Sequence, residues 1–166
     1  MPKAGVFVVI AMAVLLTSCL STLFGTKDSK SRDFDISEPG EGWEIIDPGE
    51  ADNAYRNNLD QAILNISSAC GEGRFQTLEK LASVILKQLP SHEVLEPART
   101  ATIGGYPGLI TEVRGTIDGQ PLFVRLAVVR TSSCLFDIIL AGNKLTPSSR
   151  LAFDKALKGF RASSQP

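Results

Sequence analysis

The chain has 166 residues, with 17 lysines and arginines against 18 aspartates and glutamates, so its formal net charge at pH 7 is −1. This length suits a single domain with one real hydrophobic core. Proteins that bind nucleic acid carry clustered basic faces, and the basic residues here form no cluster along the sequence. We therefore expect no nucleic-acid partner.

The N-terminal stretch combines Lys3, an uncharged apolar run over residues 6–16 and small residues before Cys19. A hydrocarbon core about 30 Å thick requires roughly 20 apolar residues in a helix. The run is therefore too short to span a membrane. An ordinary secretory signal peptide has the same arrangement of charge, apolar run and small residues, and plain secretion is one interpretation.

The segment Leu15-Leu16-Thr17-Ser18-Cys19 resembles the signal of bacterial lipoproteins, with an aliphatic residue three positions before the cysteine. In that family the signal is cut before the cysteine, which then carries acyl chains such as palmitate. The resemblance implies a signal peptide over residues 1–18 and a membrane anchor at lipidated Cys19, since more than one acyl chain gives stable attachment. Leu20 stands where an inner-membrane retention signal often has Asp. This implies a cell-envelope protein and, in a host with two membranes, favours the outer membrane, facing the periplasm, over the inner membrane.

Residues 19–34 are predicted to form the lipidated cysteine and a flexible tether, because they are rich in polar residues and lack a sustained apolar period. Such a tether has a root-mean-square reach of roughly 20 Å. The folded domain is predicted over residues 35–163. Its first strand is Trp43-Glu44-Ile45-Ile46, and Asp47-Pro48-Gly49 is a turn.

The next two strand-like runs, residues 54–56 and 62–70, flank the polar turn Asn57-Asn58-Leu59-Asp60 and predict a hairpin. From Phe75 the apolar spacing changes to three and four residues, which predicts an amphipathic helix ending at Pro90. Gly71-Glu72-Gly73-Arg74 lies between them. We interpret it as a strand-to-helix turn and not as an anion site, since the third glycine of the dinucleotide fingerprint is missing and Glu72 is negatively charged. Because side chains alternate along a strand, one face of the second strand carries Ala62, Leu64, Ile66, Ser68 and Cys70.

A meander follows. Residues 92–103 are predicted to be extended, residues 104–108 form a turn cluster, and strands are predicted over 109–117, 122–130 and 134–140. Asp118-Gly119 is a strong hairpin signal, and as a two-residue loop it pairs Val113 with Val124 and Glu112 with Arg125. One face then carries Leu109, Thr111, Val113, Val124, Leu126 and Val128, and a three-residue loop over Thr131-Ser132-Ser133 would continue it with Cys134, Phe136, Ile138 and Leu140.

The opposite face of this meander is predicted to carry charges. Glu112 lies across from Arg125, and the same register sets Asp137 diagonal to Arg125, with apolar neighbours around all three. The trio is either a ligand site or a cross-strand ion network worth a few tenths to 1 kcal/mol per pair. We expect the network, because every charge has an opposite neighbour.

The chain closes with a second helix, since Thr146-Pro147 is a capping residue followed by proline at the first helical position. The predicted apolar face of this helix carries Leu151, Phe153, Ala156, Leu157 and Phe160. The element order gives the fold class α+β, with a mainly antiparallel sheet of six to seven strands covered by two helices.

The first hairpin with Trp43, the helix followed by an extended strand, the meander and the final Phe160-Arg161 together resemble the Mog1/PsbP/DcrB-like superfamily, over roughly residues 34–162. That superfamily includes exported bacterial lipoproteins. The resemblance implies a non-catalytic accessory or binding protein. It assigns no functional residue, because no site motif matches position by position.

Residues that could carry chemistry are few. Cys70 and Cys134 remain after Cys19 and predict one disulfide, since an even number of cysteines in an exported protein favours pairing. His92 is interpreted as a surface residue. With so few Cys and His ligands we expect no metal site, and no protease, nucleophile-elbow or phosphate-loop motif predicts a catalytic group or a cofactor. Asp52, Tyr55 and Arg56 are interpreted as turn and edge residues, and Ser67 and Ser68 as backbone or solvent contacts.

Two classes of function remain. The first is a membrane-tethered, non-catalytic module that contacts an envelope protein or an amphipathic ligand. The alternative is a small envelope hydrolase in which Glu112 and Asp137 divide acid and base roles. Arg125 between the two carboxylates argues against the enzyme, so we expect a binding or accessory protein.

Overall fold

The computed structural model describes residue 31 and residues 34–71, 76–89 and 91–162. The predicted signal peptide, Cys19, most of the predicted tether and residues 72–74 of the predicted strand-to-helix turn lie outside the described residues. The elements in chain order are β1 (Phe34–Asp35), β2 (Trp43–Ile45), β3 (Asn53–Asn57), β4 (Ala62–Cys70), α1 (Leu78–Leu86), β5 (Glu93–Ile103), β6 (Tyr106–Ile117), β7 (Gln120–Arg130), β8 (Cys134–Gly142), α2 (Pro147–Gly159) and β9 (Arg161–Ala162).

The main sheet has seven strands in the order β2-β3-β4-β8-β7-β6-β5, and all neighbouring strands are antiparallel. A second, two-stranded sheet pairs β1 with β9 near the two ends of the domain. For the part of the chain that the structure describes, the predicted class, α+β with a mainly antiparallel sheet and two helices, is confirmed. The predicted hairpin around Asn57–Asp60 is also confirmed, as β3 and β4.

Each helix covers a different face of the main sheet. The α1 face is the side on which Leu81, Ala82 and Ile85 of α1 pack against Val113 and Leu126. The α2 face is the side on which Phe153, Ala156 and Leu157 of α2 pack against the sheet residues Leu64, Ile66, Ile110, Phe136, Ile138 and Leu140. Because β8 contributes to the apolar core on both faces of the sheet, every one of its residues is buried.

Both helices begin with a threonine that caps the helix, as the sequence predicts for the second. The Thr77 side chain accepts a hydrogen bond from the Lys80 backbone, and the Thr146 side chain accepts one from the Ser149 backbone. Capping of this kind satisfies backbone donors that have no partner within the helix. Helix α1 is shorter than predicted because it ends at Leu86.

Leu151 does not belong to the buried face of α2, contrary to the prediction. Its side chain is 67% exposed, whereas Phe153, Ala156, Leu157 and Phe160 are buried. Two positions apart on an α-helix place side chains on nearly opposite sides, so Phe153 and Leu151 cannot both face the sheet. The buried face of α2 therefore includes Phe153 but not Leu151.

The Asp118-Gly119 turn is confirmed, with positive φ at both residues (50° and 75°) and Ile117 opposite Gln120. The predicted turn cluster over residues 104–108 is too long. The turn contains only Gly104 and Gly105, and β6 already begins at Tyr106, opposite Ile103. Both glycines have positive φ, the geometry of the two-residue turns that fit the twist of a hairpin.

The connection between β7 and β8 differs from the prediction by one residue. Arg130 pairs with Leu135, and the Thr131 backbone N–H donates to the Cys134 carbonyl at 2.9 Å, so only Ser132 and Ser133 form the turn. Since a slip of one residue moves every side chain of a strand to the other face, the predicted assignment of β8 is wrong. The residues Cys134, Phe136, Ile138 and Leu140 lie on the α2 face with Arg125, not on the face of Leu109 and Val113.

Cys70 and Cys134 form the predicted disulfide. They lie directly opposite each other at one end of β4 and β8, and their α-carbons are 4.1 Å apart. The bond joins positions 64 residues apart in the sequence. It therefore ties the first half of the sheet to the second.

The N-terminal side of the domain is fixed at this same end of the sheet. The backbone N–H of Ser31 donates to the Ser68 hydroxyl at 2.8 Å, and the Phe34 ring packs edge-on against Phe136 at 5.3 Å between ring centroids. The Tyr106 hydroxyl donates to the Ala162 carbonyl. The described part of the chain contains no helix long and apolar enough to cross a membrane.

Replacing Gly104 by alanine is expected to lower the free energy of unfolding by about 2–4 kcal/mol. A β-carbon there would lie 2.4 Å from the Phe160 carbonyl oxygen, so the cost of overpacking adds to that of a left-handed backbone. Gly105→Ala is the matched control, because Gly105 also has positive φ but nothing lies within 4 Å of its added β-carbon. Urea unfolding of both variants measures the difference, and equal losses would contradict the close contact between this turn and the end of α2.

Replacing both Cys70 and Cys134 by serine is expected to lower the free energy of unfolding by roughly 4 kcal/mol, because the bond closes a long loop and restricts the unfolded chain. The double variant avoids leaving a free thiol. Thermal unfolding with and without a reducing agent checks the expectation: the reducing agent should lower the midpoint of the wild type only. A midpoint that is the same in both proteins would show that the bond adds nothing to stability.

Candidate functional site

The centre of the candidate site is the pair Glu112 and Arg125. They lie opposite each other on β6 and β7, in the register that Asp118-Gly119 predicts. A nitrogen of the Arg125 guanidinium donates to Glu112 Oε2 at 2.9 Å. Glu112 is only 1% exposed and Arg125 only 8%, so the pair lies inside the protein on the α2 face of the sheet.

A second guanidinium, that of Arg150, reaches the same carboxylate from α2. Arg150 Nη2 donates to Glu112 Oε1 at 2.6 Å, and Nη1 donates to Oε2. This forked arrangement satisfies both carboxylate oxygens in a fixed geometry. Helix α2 can present Arg150 there because Thr146 and Pro147 fix where the helix begins, one turn earlier.

Two further carboxylates, Glu96 and Asp154, complete the group from β5 and α2. Arg125 Nη1 lies 3.1 Å from Glu96 Oε1, and Arg125 Nη2 lies 3.9 Å from Asp154 Oδ1. The side chains of Glu96 and Asp154 are 45% and 47% exposed, so they line the solvent side of the group. We call Glu96, Glu112, Arg125, Arg150 and Asp154 together the ion cluster.

Glu96 lies directly across from Glu112 on neighbouring strands. Like charges in this position are destabilising by themselves. Here Arg125 Nη1 donates to both carboxylates, and Arg150 Nη1 also lies 3.9 Å from Glu96. The two guanidiniums therefore hold together two carboxylates that would otherwise repel each other.

The environment keeps Arg125 positively charged. Burial disfavours the charged form, but the hydrogen bond to Glu112 and the charges of Glu96 and Asp154 outweigh this effect, so the pKa of Arg125 is raised above its ordinary value. The guanidinium also lies over the Phe153 ring, 5.6 Å from the ring centroid, a position that the negative face of the ring stabilises. Arg125 therefore joins β7, β6, β5 and α2.

Asp137 does not belong to this cluster, so the predicted charged trio is wrong in one member. Asp137 pairs with Ser67 on β4 and with Val128 on β7. Val128 belongs to the apolar core on the α1 face, whereas Arg125 contacts α2 on the other side of the sheet. The reason is the shorter β7–β8 turn, which reverses the faces of β8 relative to the prediction.

Sequence reasoning found Glu112 and Arg125 but missed Glu96, Arg150 and Asp154. Arg150 and Asp154 are four positions apart on a helix, and residues at this spacing share a side. The side of α2 that carries them borders the predicted apolar face, and from this position the two residues could have been predicted to lie near the sheet. Glu96 could not be predicted, because two irregularities in the β5–β6 pairing set its register. No turn residue in the sequence indicates these irregularities.

The other candidate residues of the sequence do not converge. His92 Nδ1 lies 2.9 Å from the Leu89 carbonyl oxygen, where the chain leaves α1. Arg56 pairs with Glu44 on the exposed edge of the sheet. Tyr55 is buried on the α2 face, and this burial raises its pKa. Within the described ranges no group of three His, Cys, Asp or Glu side chains could hold a metal ion.

The ion cluster can fasten a helix to a sheet, and its half-exposed rim can contact a charged partner. The buried carboxylate of Glu112 accepts hydrogen bonds on both oxygens, so it has no room to act as a general base. The fold and the cluster together define an α+β domain with one helix on each face of an antiparallel sheet.

No protein-family model and no curated protein matches the chain. Solved structures do match. LpqN of Mycobacterium tuberculosis, described as involved in cell envelope biogenesis, superposes with a TM-score of 0.60 at 15% sequence identity, covering 83% of this chain and 86% of LpqN. A protein of Bacteroides thetaiotaomicron matches with a TM-score of 0.54 at 14% identity over 80% of this chain, which spans 49% of that protein. At these identities the likeness shows a shared fold.

Replacing Arg125 by alanine is expected to lower the free energy of unfolding by about 2–4 kcal/mol, because it removes one partner of a buried carboxylate and exposes Glu112 to the charge of Glu96. Arg150 remains on Glu112 and limits the loss. The control is Arg114→Ala, on the same strand as Glu112, whose partner Glu93 and own side chain are both more than half exposed. That variant should lose less than about 1 kcal/mol. Urea unfolding compares the two, and equal losses would remove the structural role of the cluster.

Proposed function

We propose that this chain is a lipid-anchored, non-catalytic binding or accessory protein of the bacterial cell envelope, with a domain of the Mog1/PsbP/DcrB-like kind over residues 35–163. The observation that carries the proposal is the Cys70–Cys134 disulfide. Disulfides persist in oxidising compartments and are rare in the cytosol. A domain that contains this bond is suited to an exported protein.

The anchor is proposed from the sequence before the domain. The segment Leu15-Leu16-Thr17-Ser18-Cys19 resembles a lipoprotein signal, and Ser31, twelve positions after Cys19, is hydrogen-bonded to the domain. A lipid on Cys19 would hold the domain within roughly 20 Å of the membrane surface. Leu20 in place of Asp supports the outer membrane, facing the periplasm.

The likeness to LpqN supports an envelope role. LpqN is described as involved in cell envelope biogenesis, and the shared fold supports a related setting for this chain. An accessory role through binding fits a domain whose buried charges are engaged in holding the fold together. The binding partner on this proposal is an envelope protein or an amphipathic ligand.

The alternative, an envelope hydrolase using Glu112 and Asp137, has lost its geometric basis. The two carboxyl groups lie on opposite faces of the sheet, so they cannot act on one substrate. A pair that divides acid and base roles must flank the same bond, within roughly 5–10 Å of each other. Glu112 is in addition held by two guanidiniums.

Replacing Cys19 by alanine is expected to abolish incorporation of an alkyne-labelled palmitate and to release the protein from bacterial membranes. The change removes the sulfur that would carry an acyl chain, and the apolar run before it is too short to span. Metabolic labelling, membrane fractionation and intact mass measure the outcome. The control is the double variant Cys70→Ser with Cys134→Ser, which should keep the label. An unlabelled, uncut protein that remains firmly in the membrane with Cys19 intact would indicate a signal anchor instead.

A further inference from the structure

The first part of the domain carries a long acidic stretch. Residues 35–55 contain seven aspartates and glutamates and no lysine or arginine. Six of these residues are exposed: Asp35, Glu38, Glu41, Glu44, Asp47 and Glu50. Strand β2 lies in the middle of this stretch. We call residues 41–47, which contain β2, the acidic edge.

Basic side chains balance the stretch only in part. Among the described residues, Arg56 donates to Glu44 at 2.7 Å, and Arg161 lies opposite Asp35 in the pairing of β1 with β9. The ammonium group of Lys155 approaches the backbone of the stretch. Three positive charges offset half of the six exposed carboxylates, so an excess of negative charge remains.

The acidic edge also has an open backbone. β2 is the first strand in the order of the main sheet and pairs with β3 alone. The Ile46 backbone N–H donates to the Ala54 carbonyl at 3.0 Å, so Ile46 occupies a hydrogen-bonded position of this ladder. Such positions alternate with non-hydrogen-bonded ones in an antiparallel pair. The backbone N–H and carbonyl of Ile45 therefore point away from β3, toward the open side.

The two faces of this strand differ in chemistry, because side chains alternate along it. Ile45 lies opposite Tyr55, so its side chain is on the α2 face with that of Trp43. The Ile45 side chain is 73% exposed. Glu44 is on the other face, and its side chain is 49% exposed. A strand added here would meet an apolar side chain on one face and a carboxylate on the other.

We propose that the acidic edge is a docking surface for an extended segment of a partner protein in which apolar side chains alternate with lysine or arginine. The proposal rests on the proposed binding function and names its surface and partner chemistry. Ile45 supplies the backbone pairing and the apolar contact, and the carboxylates of Glu41, Glu44 and Asp47 attract the basic side chains. Charge complementarity of this kind favours association and rejects wrong partners.

The backbone of the partner would add to the sheet as an eighth strand beside β2. In this mode of recognition the backbone hydrogen bonds give affinity and the alternating side chains give specificity. A single residue opposite Ile45 can exchange two hydrogen bonds with it, as hydrogen-bonded antiparallel pairs do. The next residues on either side then face the carboxylate of Glu44.

Two other occupants fit the charges less well. A bilayer with anionic headgroups would be repelled by the carboxylates of the acidic edge. A second copy docked by the same edge would bring two sets of identical carboxylates together, since a two-fold contact joins the same patch on both subunits. A basic, apolar segment of another protein meets neither difficulty.

The test uses the full chain in non-ionic detergent micelles and two fluorescent nine-residue peptides that alternate valine with lysine or valine with glutamate. Fluorescence anisotropy gives the dissociation constants, with empty micelles as the blank. We expect the lysine peptide to bind about ten times more tightly than the glutamate peptide, because only its charges complement the edge. Equal binding of both peptides would overturn the proposal.

Charge variants locate the site. Glu41→Gln together with Asp47→Asn should weaken binding of the lysine peptide about tenfold, because two carboxylates beside β2 are lost. The matched control is Glu79→Gln together with Glu93→Gln, which changes the net charge equally but at α1 and β5, and should leave the dissociation constant unchanged. Equal weakening by both double variants would show that only the overall charge matters and would overturn the proposal.

A backbone variant tests the added strand. Ile45→Pro removes the outward N–H but no bond to β3, a position where an edge strand tolerates proline, and should abolish binding of the lysine peptide. Ile45→Val keeps the N–H and should bind as the wild type does. Thermal unfolding checks that all variants fold. Undiminished binding by a folded Ile45→Pro protein would overturn the proposal.

Two measurements address the other occupants. Ultracentrifugation in which the wild type dimerises and the Ile45→Pro variant does not would assign the edge to a second copy. Binding to phosphatidylglycerol vesicles that the Ile45→Pro change abolishes would assign it to a membrane. Either result would overturn the proposal.

Palmitate labelling of the same variants separates this proposal from the proposed function. If the peptide test fails while Cys19 carries lipid, the docking surface is wrong and the envelope anchor stands. If the lysine peptide binds as expected but Cys19 carries no lipid, the docking surface stands and the anchor is wrong.

Discussion

The burial of the Glu112 carboxylate constrains how helix α2 and the main sheet fit together. An ionised carboxylate in the interior is costly unless it is paired and hydrogen-bonded. Its partners come from β7 and from α2, so the sheet and the helix must meet in one arrangement for the charge to be satisfied. The cluster thus specifies how α2 lies on the sheet, while the apolar residues beneath it supply most of the attraction.

The same constraint accounts for the irregular edge of the sheet. Two guanidiniums on one buried carboxylate leave a positive excess, and Glu96 removes it from the neighbouring strand. For this, β5 must bring Glu96 opposite Glu112, which requires its departures from regular pairing. The exposure of Val94 and Leu95 at this edge is therefore a consequence of balancing charge inside the domain.

Much of the fold follows from local signals in the sequence. Asp118-Gly119 set the β6–β7 register correctly because only a two-residue turn with positive φ fits it, and Thr146-Pro147 marked the start of α2. The β7–β8 turn carried no comparable signal: Thr131, Ser132 and Ser133 suit a loop of two or three residues equally. Because both faces of β8 are buried and, apart from Asp137, apolar, its composition could not reveal the error. Asp137 was consequently assigned to the wrong face of the sheet. The partners of Glu112 from α2 and β5 could not be predicted, because the Asp118-Gly119 turn sets only the pairing of β6 with β7.

The pairing of β1 with β9 has a mechanical consequence. Among the described residues, two pairs join these strands, and the chain toward Cys19 leaves from the Phe34–Ala162 pair. A load applied through the N-terminal side would first meet the hydrogen bond from Ser31 to Ser68 and then the Phe34–Ala162 pair, and would open these contacts one after another. Freeing residues 34–42 would lengthen the tether by about 30 Å. The main sheet, whose first strand begins at Trp43, would keep its fold. The domain thus carries a reserve of length that force can release while the seven strands of the main sheet stay paired.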